Sequence, residues 1–246
     1  MRVGILGVTG MVGQQYIRLL ANHPWLEPTV FVGRKSAGKL YKEAVEWIGE
    51  YDPPERLMDM PVQAAEPERQ DADLFFSCLP SEVAKELEPR YAALHPVVSD
   101  TSAFRMEVDV PLIIPEVNAE HLELLDEQRK RRKEWKGFIV TGPNCTTAGL
   151  VMALKPLHEE FKLRKVVVTT MQALSGAGFP GVPSLQIVDN VIPYIKKEEE
   201  KVARETLKML GTFTGNSVKP AEIMVAAMCN RVAVIDGHLE LSLIHI

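Results

Sequence analysis

The sequence has few cysteines, no long apolar run and no excess of positive charge. Its three cysteines lie far apart, so we expect reduced thiols in a cytoplasmic protein, with neither a disulfide framework nor a metal cluster. No apolar run approaches the roughly 20 residues of a membrane-spanning helix. The net charge of −5 gives no reason to expect nucleic-acid binding. Met1 leads directly into an apolar strand pattern, so we expect no secretory signal peptide.

Short apolar runs alternate with helix-length amphipathic segments, a pattern typical of a parallel α/β sheet. The sequence predicts strands at 2–6, 29–32, 73–78, 97–98, 112–114, 138–140, 165–172 and 231–235. It predicts helices at 11–20, 119–135, 145–161 and 197–210, and another that begins with Ser81 as its N-cap. The 119–135 helix has mixed charge, which indicates a solvated surface, and prolines leave 37–70 without a clear prediction. A turn cluster places the domain boundary near Asn144, giving domains 1–143 and 144–246.

A glycine-rich loop lies between the first predicted strand and the first helix. Its glycines let the backbone turn tightly and approach a pyrophosphate, whose charge the helix N-terminus favours. The residues of this loop that would bind the nucleotide are Gly7, Thr9, Gly10, Met11 and Val12. The alternative is a strand–helix turn that is glycine-rich for another reason.

The end of the second predicted strand bears on the choice of nucleotide. An NAD-binding protein usually places an acidic residue there, which binds the ribose hydroxyls. Here Arg34, Lys35 and Ser36 follow the strand, and this combination suits a 2′-phosphate. The sequence therefore favours NADP over NAD, with exposed surface charge as the alternative for these cations.

Cys145 begins an apolar helix. In the first turn of a helix, the dipole and the free amides stabilise a thiolate, so we expect a lowered pKa and a nucleophile. A buried structural cysteine fits the same position equally well. Cys78 and Cys229 lie in apolar runs, which favours a structural role for their thiols.

A nucleophilic cysteine beside a nicotinamide indicates addition of a thiolate to an aldehyde. The resulting thiohemiacetal loses a hydride and becomes a thioester, and a base must take the hydroxyl proton. His238 is the best candidate for that base, because it follows a strand and a glycine. The other histidines lie at loop positions, at helix ends or near the chain end.

Four motifs occur in a fixed order: the glycine loop, Pro143 to Thr147, Gln172 to Gly178, and Arg231 with His238 seven residues later. In this order they resemble the aspartate-semialdehyde dehydrogenase family, from Met1 to about Glu240, and the two threonines after the cysteine are similar to its archaeal and fungal branch. The resemblance implies a Rossmann-type parallel-sheet domain, followed by an α+β domain for catalysis and dimerisation. It implies NADPH-dependent reduction of L-aspartyl 4-phosphate to L-aspartate 4-semialdehyde, in the biosynthesis of lysine, threonine and methionine.

Residue roles follow from the same resemblance. The implied catalytic residues are Cys145 as the thioester nucleophile, His238 as the general acid/base and Gln172 as the residue that orients the substrate. The implied substrate contacts are Arg105, Asn144 and Lys201 to phosphate, Glu198 to the amino group, and Arg231 to the α-carboxylate. The implied cofactor contacts beyond the glycine loop are Ser77, Cys78, Leu79, Ser175 and Gly176. Without the resemblance, the helix that carries Glu198 would be interpreted as a solvated face, and its neighbours Glu199 and Glu200 leave the register open.

Arg231 and His238 can share a site only if the chain bends between them. Seven residues of straight strand would span about 23 Å, at roughly 3.3 Å per residue. The two side chains would also point to opposite faces. Asp236 and Gly237 are where we expect the bend.

The sequence after Glu240 differs from the corresponding segment of the family, whose members run on to a final helix that returns to the nucleotide domain. The resemblance therefore predicts a shortened chain with an incomplete second domain. For the full-length form it implies a homodimer or homotetramer, with a small-molecule substrate and no nucleic-acid or membrane partner. Two alternatives remain open: an acyl-CoA reductase similar to malonyl-CoA reductase, and a non-catalytic nucleotide-binding fragment.

Overall fold

The computed structural model describes residues 1–48 and 53–246. The strands are β1 (Arg2–Leu6), β2 (Glu27–Val32), β3 (Val62–Gln63), β4 (Leu74–Ser77), β5 (Val97–Ser99), β6 (Ile139–Thr141), β7 (Lys165–Gln172), β8 (Ile192–Pro193), β9 (Thr212–Phe213), β10 (Val218–Lys219), β11 (Met224–Arg231) and β12 (Leu239–His245). The α-helices are α1 (Met11–Leu20), α2 (Tyr41–Ala44), α3 (Glu55–Met58), α4 (Ser81–Ala92), α5 (Pro115–Asn118), α6 (Leu124–Arg131), α7 (Cys145–Phe161), α8 (Ser184–Ile187) and α9 (Glu198–Met209). Short 3-10 helices lie at Pro67–Arg69, Ala119–Glu123 and Leu174–Ala177.

The chain forms two compact units. The first comprises Met1–Phe104 and Leu125–Thr141, and the second comprises Arg105–Leu124 and Gly142–Ile246. The last crossing between the units, after Thr141, lies close to the boundary predicted near Asn144, while segment 105–124 groups with the second unit. Within the described ranges, no helix is both long enough and apolar enough to cross a membrane.

The first unit is built on a six-stranded parallel sheet with the order β3-β2-β1-β4-β5-β6. The central strands β1 and β4 are apolar because both of their faces are covered, as parallel sheets require. Val3, Ile5 and Phe75 are fully buried there. The carboxyl ends of β1, β2 and β4 meet at one edge of the sheet, where ligands bind in such folds. The predicted parallel α/β domain is confirmed.

The second unit contains a four-stranded mixed sheet with the order β12-β7-β11-β8. Strands β7 and β11 are parallel, and their last residues, Gln172 and Arg231, are paired in register. Alternate residues of β7 are buried, which places one face of the sheet in the core. That core includes Leu150, Val151 and Leu154 of α7, and Val202 and Met209 of α9.

The bounds predicted for β1, α1, α7 and β7 are confirmed. The prediction of Ser81 as an N-cap is wrong. Pro80 holds the cap position of α4, and Ser81 is the first helical residue. The Ser81 hydroxyl instead forms a hydrogen bond of 2.8 Å with the Ser102 hydroxyl, so its polar group is satisfied outside the helix.

The predicted strand at 112–114 does not form. The Asn118 side chain accepts a hydrogen bond from the Ile114 N–H at 3.1 Å and donates to the Leu112 carbonyl at 2.9 Å. These bonds satisfy the backbone locally, and Leu112 is apolar because it lies in the core of the second unit.

The predicted helix at 119–135 is shorter than expected. A 3-10 helix occupies Ala119–Glu123, and α6 ends at Arg131. Its charges lie on the surface, as predicted, in exposed ion pairs such as the one between Arg129 and Asp126. Beyond the helix, the Arg132 guanidinium lies over the Trp135 ring at 4.6 Å.

We expect truncation of Leu154 to destabilise the protein far more than truncation of Leu157 on the same helix. Leu154 is 1% exposed, whereas Leu157 is 36% exposed. Leu154→Ala should lower the free energy of unfolding by about 2–5 kcal/mol, because it leaves a cavity. Leu157→Ala should cost less than about 1 kcal/mol. Urea denaturation followed by circular dichroism measures both, and equal shifts of the two midpoints would contradict the burial assigned to Leu154.

Candidate active site

The side chains of Cys145 and His238 are in contact. Cys145 is the first residue of α7, and its Sγ lies 3.0 Å from His238 Nε2. The backbone N–H of Ala173 donates to His238 Nδ1 at 3.0 Å. Because Nδ1 accepts this bond, the neutral ring carries its proton on Nε2, facing the sulfur. The predicted pairing of these two residues is therefore present in the structure.

The prediction that the helix start lowers the pKa of Cys145 is wrong for this structure. Burial raises the pKa of the Cys145 thiol, and the negative charge of Glu198 raises it further. The amides of Thr146 and of Cys145 itself act in the lowering direction but are outweighed. The pKa of His238 is lowered, by burial and then by the charge of Arg231. A neutral thiol beside a neutral imidazole is therefore the resting form at neutral pH.

Asn144 caps the helix that begins with Cys145. Its Oδ1 accepts hydrogen bonds from the N–H groups of Thr146 at 2.9 Å and Thr147 at 3.2 Å. Its Nδ2 donates to Glu198 Oε1 at 2.6 Å. A side-chain cap fixes the first turn of a helix, so Asn144 sets the position of the nucleophile relative to α9.

Glu198 is a buried carboxylate whose charge acts on Cys145. Gln172 Nε2 donates to Glu198 Oε1 at 3.1 Å, and Lys201 Nζ lies 3.4 Å from Oε2. Burial acts to raise the pKa of Glu198, but hydrogen bonds from Gln172 and Asn144 and the charge of Lys201 outweigh it, so the pKa is lowered. The carboxylate is therefore ionised. In the described part of the chain, the buried Oε1 of Gln172 has no hydrogen-bond partner.

Arg231 and His238 come together at the turn that follows β7. A Cβ placed on Gly176 would lie 2.9 Å from Arg231 Nη1 and 3.5 Å from His238 Cε1, so Gly176 lies beside both groups. Arg231 also donates from Nη1 to the Ala173 carbonyl. Ser175, like Gly176, lies in the 3-10 helix Leu174–Ala177, and its side chain is partly buried.

The predicted strand at 231–235 is wrong, because β11 ends at Arg231. Beyond it, the carbonyls of Val234 and Ile235 accept hydrogen bonds from the N–H groups of Leu174 and Ser175. The predicted bend is confirmed, but it starts several residues before Gly237, whose φ is +86°.

Arg105 is a buried cation in the second unit. It is 6% exposed; its Nε donates to the Gly142 carbonyl at 2.8 Å, and its Nη1 donates to Glu205 Oε1 at 3.1 Å. The side chain of Lys201 is 37% exposed. Both predicted phosphate-binding cations thus belong to the same unit as Cys145.

Sequence reasoning missed Glu205 and Lys208, because charged residues on α9 were interpreted as solvated. Lys208 donates to the carbonyls of Arg105, Glu107 and Val110 at 2.7–2.8 Å, and burial lowers its pKa to about 8. One signal was present: these residues follow Glu198 and Lys201 at spacings that keep all of them on one helix face.

The glycine loop in the first unit suits a bound phosphate. Gly7 has a φ of +86°, and a Cβ there would lie 3.0 Å from the Cys78 carbonyl oxygen. Gly10 is the N-cap of α1 without a side-chain cap, and the first turn carries no acid. The helix N-terminus is therefore suited to an anion. The neighbouring loop residues Thr9, Met11 and Val12 are partly or fully exposed.

The other predicted cofactor residues of this unit lie at the carboxyl ends of β2 and β4. Arg34 and Lys35 are exposed after β2, while Ser36 is buried. Ser77 is fully buried at the end of β4. The Cys78 thiol donates to the Leu6 carbonyl at 3.0 Å, and burial raises its pKa, so the side chain is a neutral donor within the loop. Leu79 follows and is partly buried.

Among the described residues, no group of histidine, cysteine and acidic side chains is arranged to hold a metal ion.

Two family models match the chain. Residues 2–125 match the NAD binding domain of semialdehyde dehydrogenase. Residues 154–246 match the dimerisation domain of semialdehyde dehydrogenase.

Curated relatives with two different activities are similar in sequence. The chain is 54% identical over 240 residues to the aspartate-semialdehyde dehydrogenase of Archaeoglobus fulgidus, covering 97% of this chain and 69% of that protein. It is 42% identical over 246 residues to the malonyl CoA reductase (NADP) of Metallosphaera sedula, covering 98% of this chain and 69% of that protein. The structure is similar to the crystal structure of aspartate semialdehyde dehydrogenase with NADP from Candida albicans. That similarity has a TM-score of 0.90 and 40% identity, and covers 100% of this chain and 71% of that chain.

We expect Glu198→Gln to make Cys145 more reactive. The Glu198 charge raises the pKa of the thiol, so its removal should lower that pKa and increase the thiolate fraction. Alkylation of Cys145 by iodoacetamide at pH 8 should be about threefold faster or more, since the thiolate is the reacting form.

Peptide mass spectrometry distinguishes alkylation of Cys145 from alkylation of Cys78 and Cys229. Glu200→Gln is the matched control, because Glu200 is exposed on the same helix. An unchanged or slower rate in Glu198→Gln, across pH 7 to 10, would show that Glu198 does not control the ionisation of the thiol.

Proposed function

The chain belongs to the aspartate-semialdehyde dehydrogenase family, and from this membership we propose that it reduces L-aspartyl 4-phosphate to L-aspartate 4-semialdehyde with NADPH. It is an oxidoreductase of amino-acid biosynthesis, on the route to lysine, threonine and methionine. The observation that carries the proposal is the 3.0 Å contact between Cys145 Sγ and His238 Nε2 at the start of a capped helix.

The reaction begins at Cys145. The thiol passes its proton to the departing phosphate, and the resulting thiolate attacks the C4 carbonyl of the acyl phosphate. A C–S bond forms and the C–O bond to phosphate breaks, which leaves a thioester. Bound NADPH supplies the hydride that reduces the thioester carbon. The proton on Nε2 of His238 faces the sulfur that carries this thioester, and we infer that it stabilises the oxyanion that develops on the adjacent carbon. The carbonyl then re-forms as the C–S bond breaks, the semialdehyde leaves, and the Cys145 thiolate takes up a proton from solvent.

The charged residues of the second unit match the groups of the substrate. Arg231, whose guanidinium lies at the same turn as His238, takes the α-carboxylate. The ionised Glu198 binds the substrate ammonium group. Gln172 is hydrogen-bonded to Glu198 and orients the carbon chain of the substrate. Arg105 and Lys201, together with Asn144, take the phosphate.

NADP is the cofactor that the first unit suits. The uncapped start of α1 and the close approach allowed by Gly7 fit a pyrophosphate. The exposed Arg34 and Lys35 supply charge for a 2′-phosphate. The similar Candida albicans enzyme was crystallised with NADP. In the second unit, Ser175 and Gly176 are the proposed contacts to the nicotinamide end.

The second unit also carries an apolar sheet face that supports self-association. Residues 154–246 match a dimerisation domain. The face of the sheet opposite the core exposes Val167, Met171, Met224, Met228, Leu239 and Leu241. A contiguous apolar face of this kind marks an interaction surface. We propose that a second copy covers it in a homodimer, which can pair further into a tetramer, and that the enzyme works in the cytoplasm.

The proposed reaction is tested in reverse, as phosphate-dependent reduction of NADP with aspartate semialdehyde. We expect turnover by the wild type, and loss of at least about 10³-fold in kcat on Cys145→Ala, because the covalent intermediate can no longer form. NADPH formation at 340 nm measures both. Cys229→Ala is the control, since Cys229 is a buried cysteine that the proposed reaction does not use.

The same assay separates the alternatives. A malonyl-CoA reductase is favoured by the 42% identity to such an enzyme, and it would reduce NADP with malonate semialdehyde and coenzyme A instead. Turnover of that pair without the phosphate-dependent reaction would overturn the proposal. NADP binding without turnover of either substrate would leave the non-catalytic interpretation.

We expect Met228→Glu to dissociate the dimer. Met228 is 58% exposed on the apolar sheet face, so a charge there would be buried without a partner in the assembled protein. Sedimentation equilibrium should show a rise in the dissociation constant of about 100-fold or more. Met152→Glu is the control, on an exposed methionine of α7. An unchanged dissociation constant in Met228→Glu would show that the dimer uses another surface.

A further inference from the structure

One face of α9 carries four charged residues, Glu198, Lys201, Glu205 and Lys208. The proposed function uses the first pair. Glu205 belongs to the second pair and is 2% exposed. A buried carboxylate is costly unless every charge and lone pair has a partner, so its contacts indicate what it is for.

The two oxygens of Glu205 bind two different parts of the proposed site. Oε2 accepts the backbone N–H of Asn144 at 2.6 Å, and Asn144 is the residue that immediately precedes Cys145. Oε1 accepts Nη1 of Arg105 at 3.1 Å, in an ion pair whose side chains are 3% and 8% exposed. A single rigid carboxylate therefore links the start of the cysteine helix to the guanidinium.

We propose that Glu205 is a positioning residue that fixes the distance between the Arg105 guanidinium and the Cys145 nucleophile. The inference rests on the proposed function, because it takes Arg105 as a contact to the phosphoryl group. Glu205 itself touches neither substrate nor cofactor. Its effect is to hold the group that binds the phosphate at the separation that the attacking sulfur requires.

The contacts of Arg105 support positioning. Its guanidinium is held at Nε by the Gly142 carbonyl at 2.8 Å and at Nη1 by Glu205. Because the group is planar, two hydrogen bonds in different directions fix its orientation as well as its place. The backbone of the same segment is held by Lys208, which binds the Arg105 carbonyl at 2.7 Å. Helix α9 thus sets the side chain and the main chain of Arg105 together.

Positioning and simple charge balance predict opposite results when Glu205 loses its charge. Removal of a negative charge beside Arg105 makes the surroundings more positive, so charge balance alone predicts tighter phosphate binding and a more reactive thiol. If Glu205 positions the site, its loss should release the Arg105 guanidinium and weaken phosphate binding. It should also release the Asn144 peptide and lower the rate at which the Cys145 thiol reacts. The sign of the change decides between them.

The test is Glu205→Gln in the phosphate-dependent reduction of NADP with aspartate semialdehyde. We expect the KM for inorganic phosphate to rise about tenfold or more and kcat to fall, since misplacement by about 1 Å costs on the order of 100-fold in rate. The KM for NADP should stay within about twofold. Glu200→Gln, an exposed glutamate on the same helix, should leave all three values unchanged. A KM for phosphate that is unchanged or lower in Glu205→Gln overturns the proposal.

Glu205→Asp separates bridging from charge. Aspartate keeps the carboxylate but is one methylene shorter, so it cannot reach both Asn144 and Arg105. We expect its KM for phosphate to rise in the same direction as that of Glu205→Gln. Wild-type values in Glu205→Asp would show that the charge alone suffices, and the proposal would be wrong. Unfolding curves of the variants in urea confirm that the compared proteins are folded.

A second readout does not depend on turnover. Alkylation of Cys145 by iodoacetamide at pH 8 should be at least about threefold slower in Glu205→Gln and unchanged in Glu200→Gln, because the released peptide misaligns the helix amides that favour the thiolate. A faster or unchanged rate overturns the positioning role. If the wild type lacks phosphate-dependent activity, the proposed function fails, while this measurement still decides whether Glu205 positions Cys145.

Discussion

The hydrogen bonds between Asn144 and the two buried carboxylates of α9 fix the geometry on which the second unit depends. Glu198 binds the Asn144 side chain, and Glu205 binds its backbone, each at 2.6 Å. Buried carboxylates require such donors, so in the folded unit Asn144 must lie against the face of α9 that carries Glu198 and Glu205. Because Asn144 also caps α7, the same bonds that satisfy the carboxylates place Cys145.

The sheet provides the other half of the site. Gln172 and Arg231 end adjacent parallel strands and are paired in register, so their side chains lie side by side at the carboxyl edge. The segment after β7 then accommodates His238 through the Ala173 N–H and Arg231 through the Ala173 carbonyl. The backbone of Ala173 therefore orients both the imidazole and the guanidinium.

Local sequence patterns correctly predicted several elements whose structural cause is local. A run rich in Val and Thr predicted the bounds of β7, and a turn followed by an apolar run predicted the start of α7 at Cys145. The prediction failed where long-range contacts decide. Burial and Glu198 determine the pKa of Cys145, and partners from distant segments make Glu205 a buried bridge. A charged residue on a helix cannot be distinguished from a solvated one until those partners are placed.

The raised pKa of Cys145 is consistent with the proposed chemistry when the charges are considered with substrate bound. Burial is the larger cause of that raised pKa, and Glu198 raises it further because its negative charge opposes the thiolate. Glu198 remains ionised because Gln172 and Asn144 donate to it. In the proposed reaction the substrate ammonium binds Glu198 and offsets this charge, so that burial alone then opposes the helix amides. The thiolate is thus favoured when an acyl group is present to receive it, while the free enzyme holds a less reactive thiol. The amides at the start of α7 supply part of the stabilisation of the Cys145 thiolate. Because Glu198 opposes that thiolate until the substrate binds, the thiolate fraction depends on the substrate.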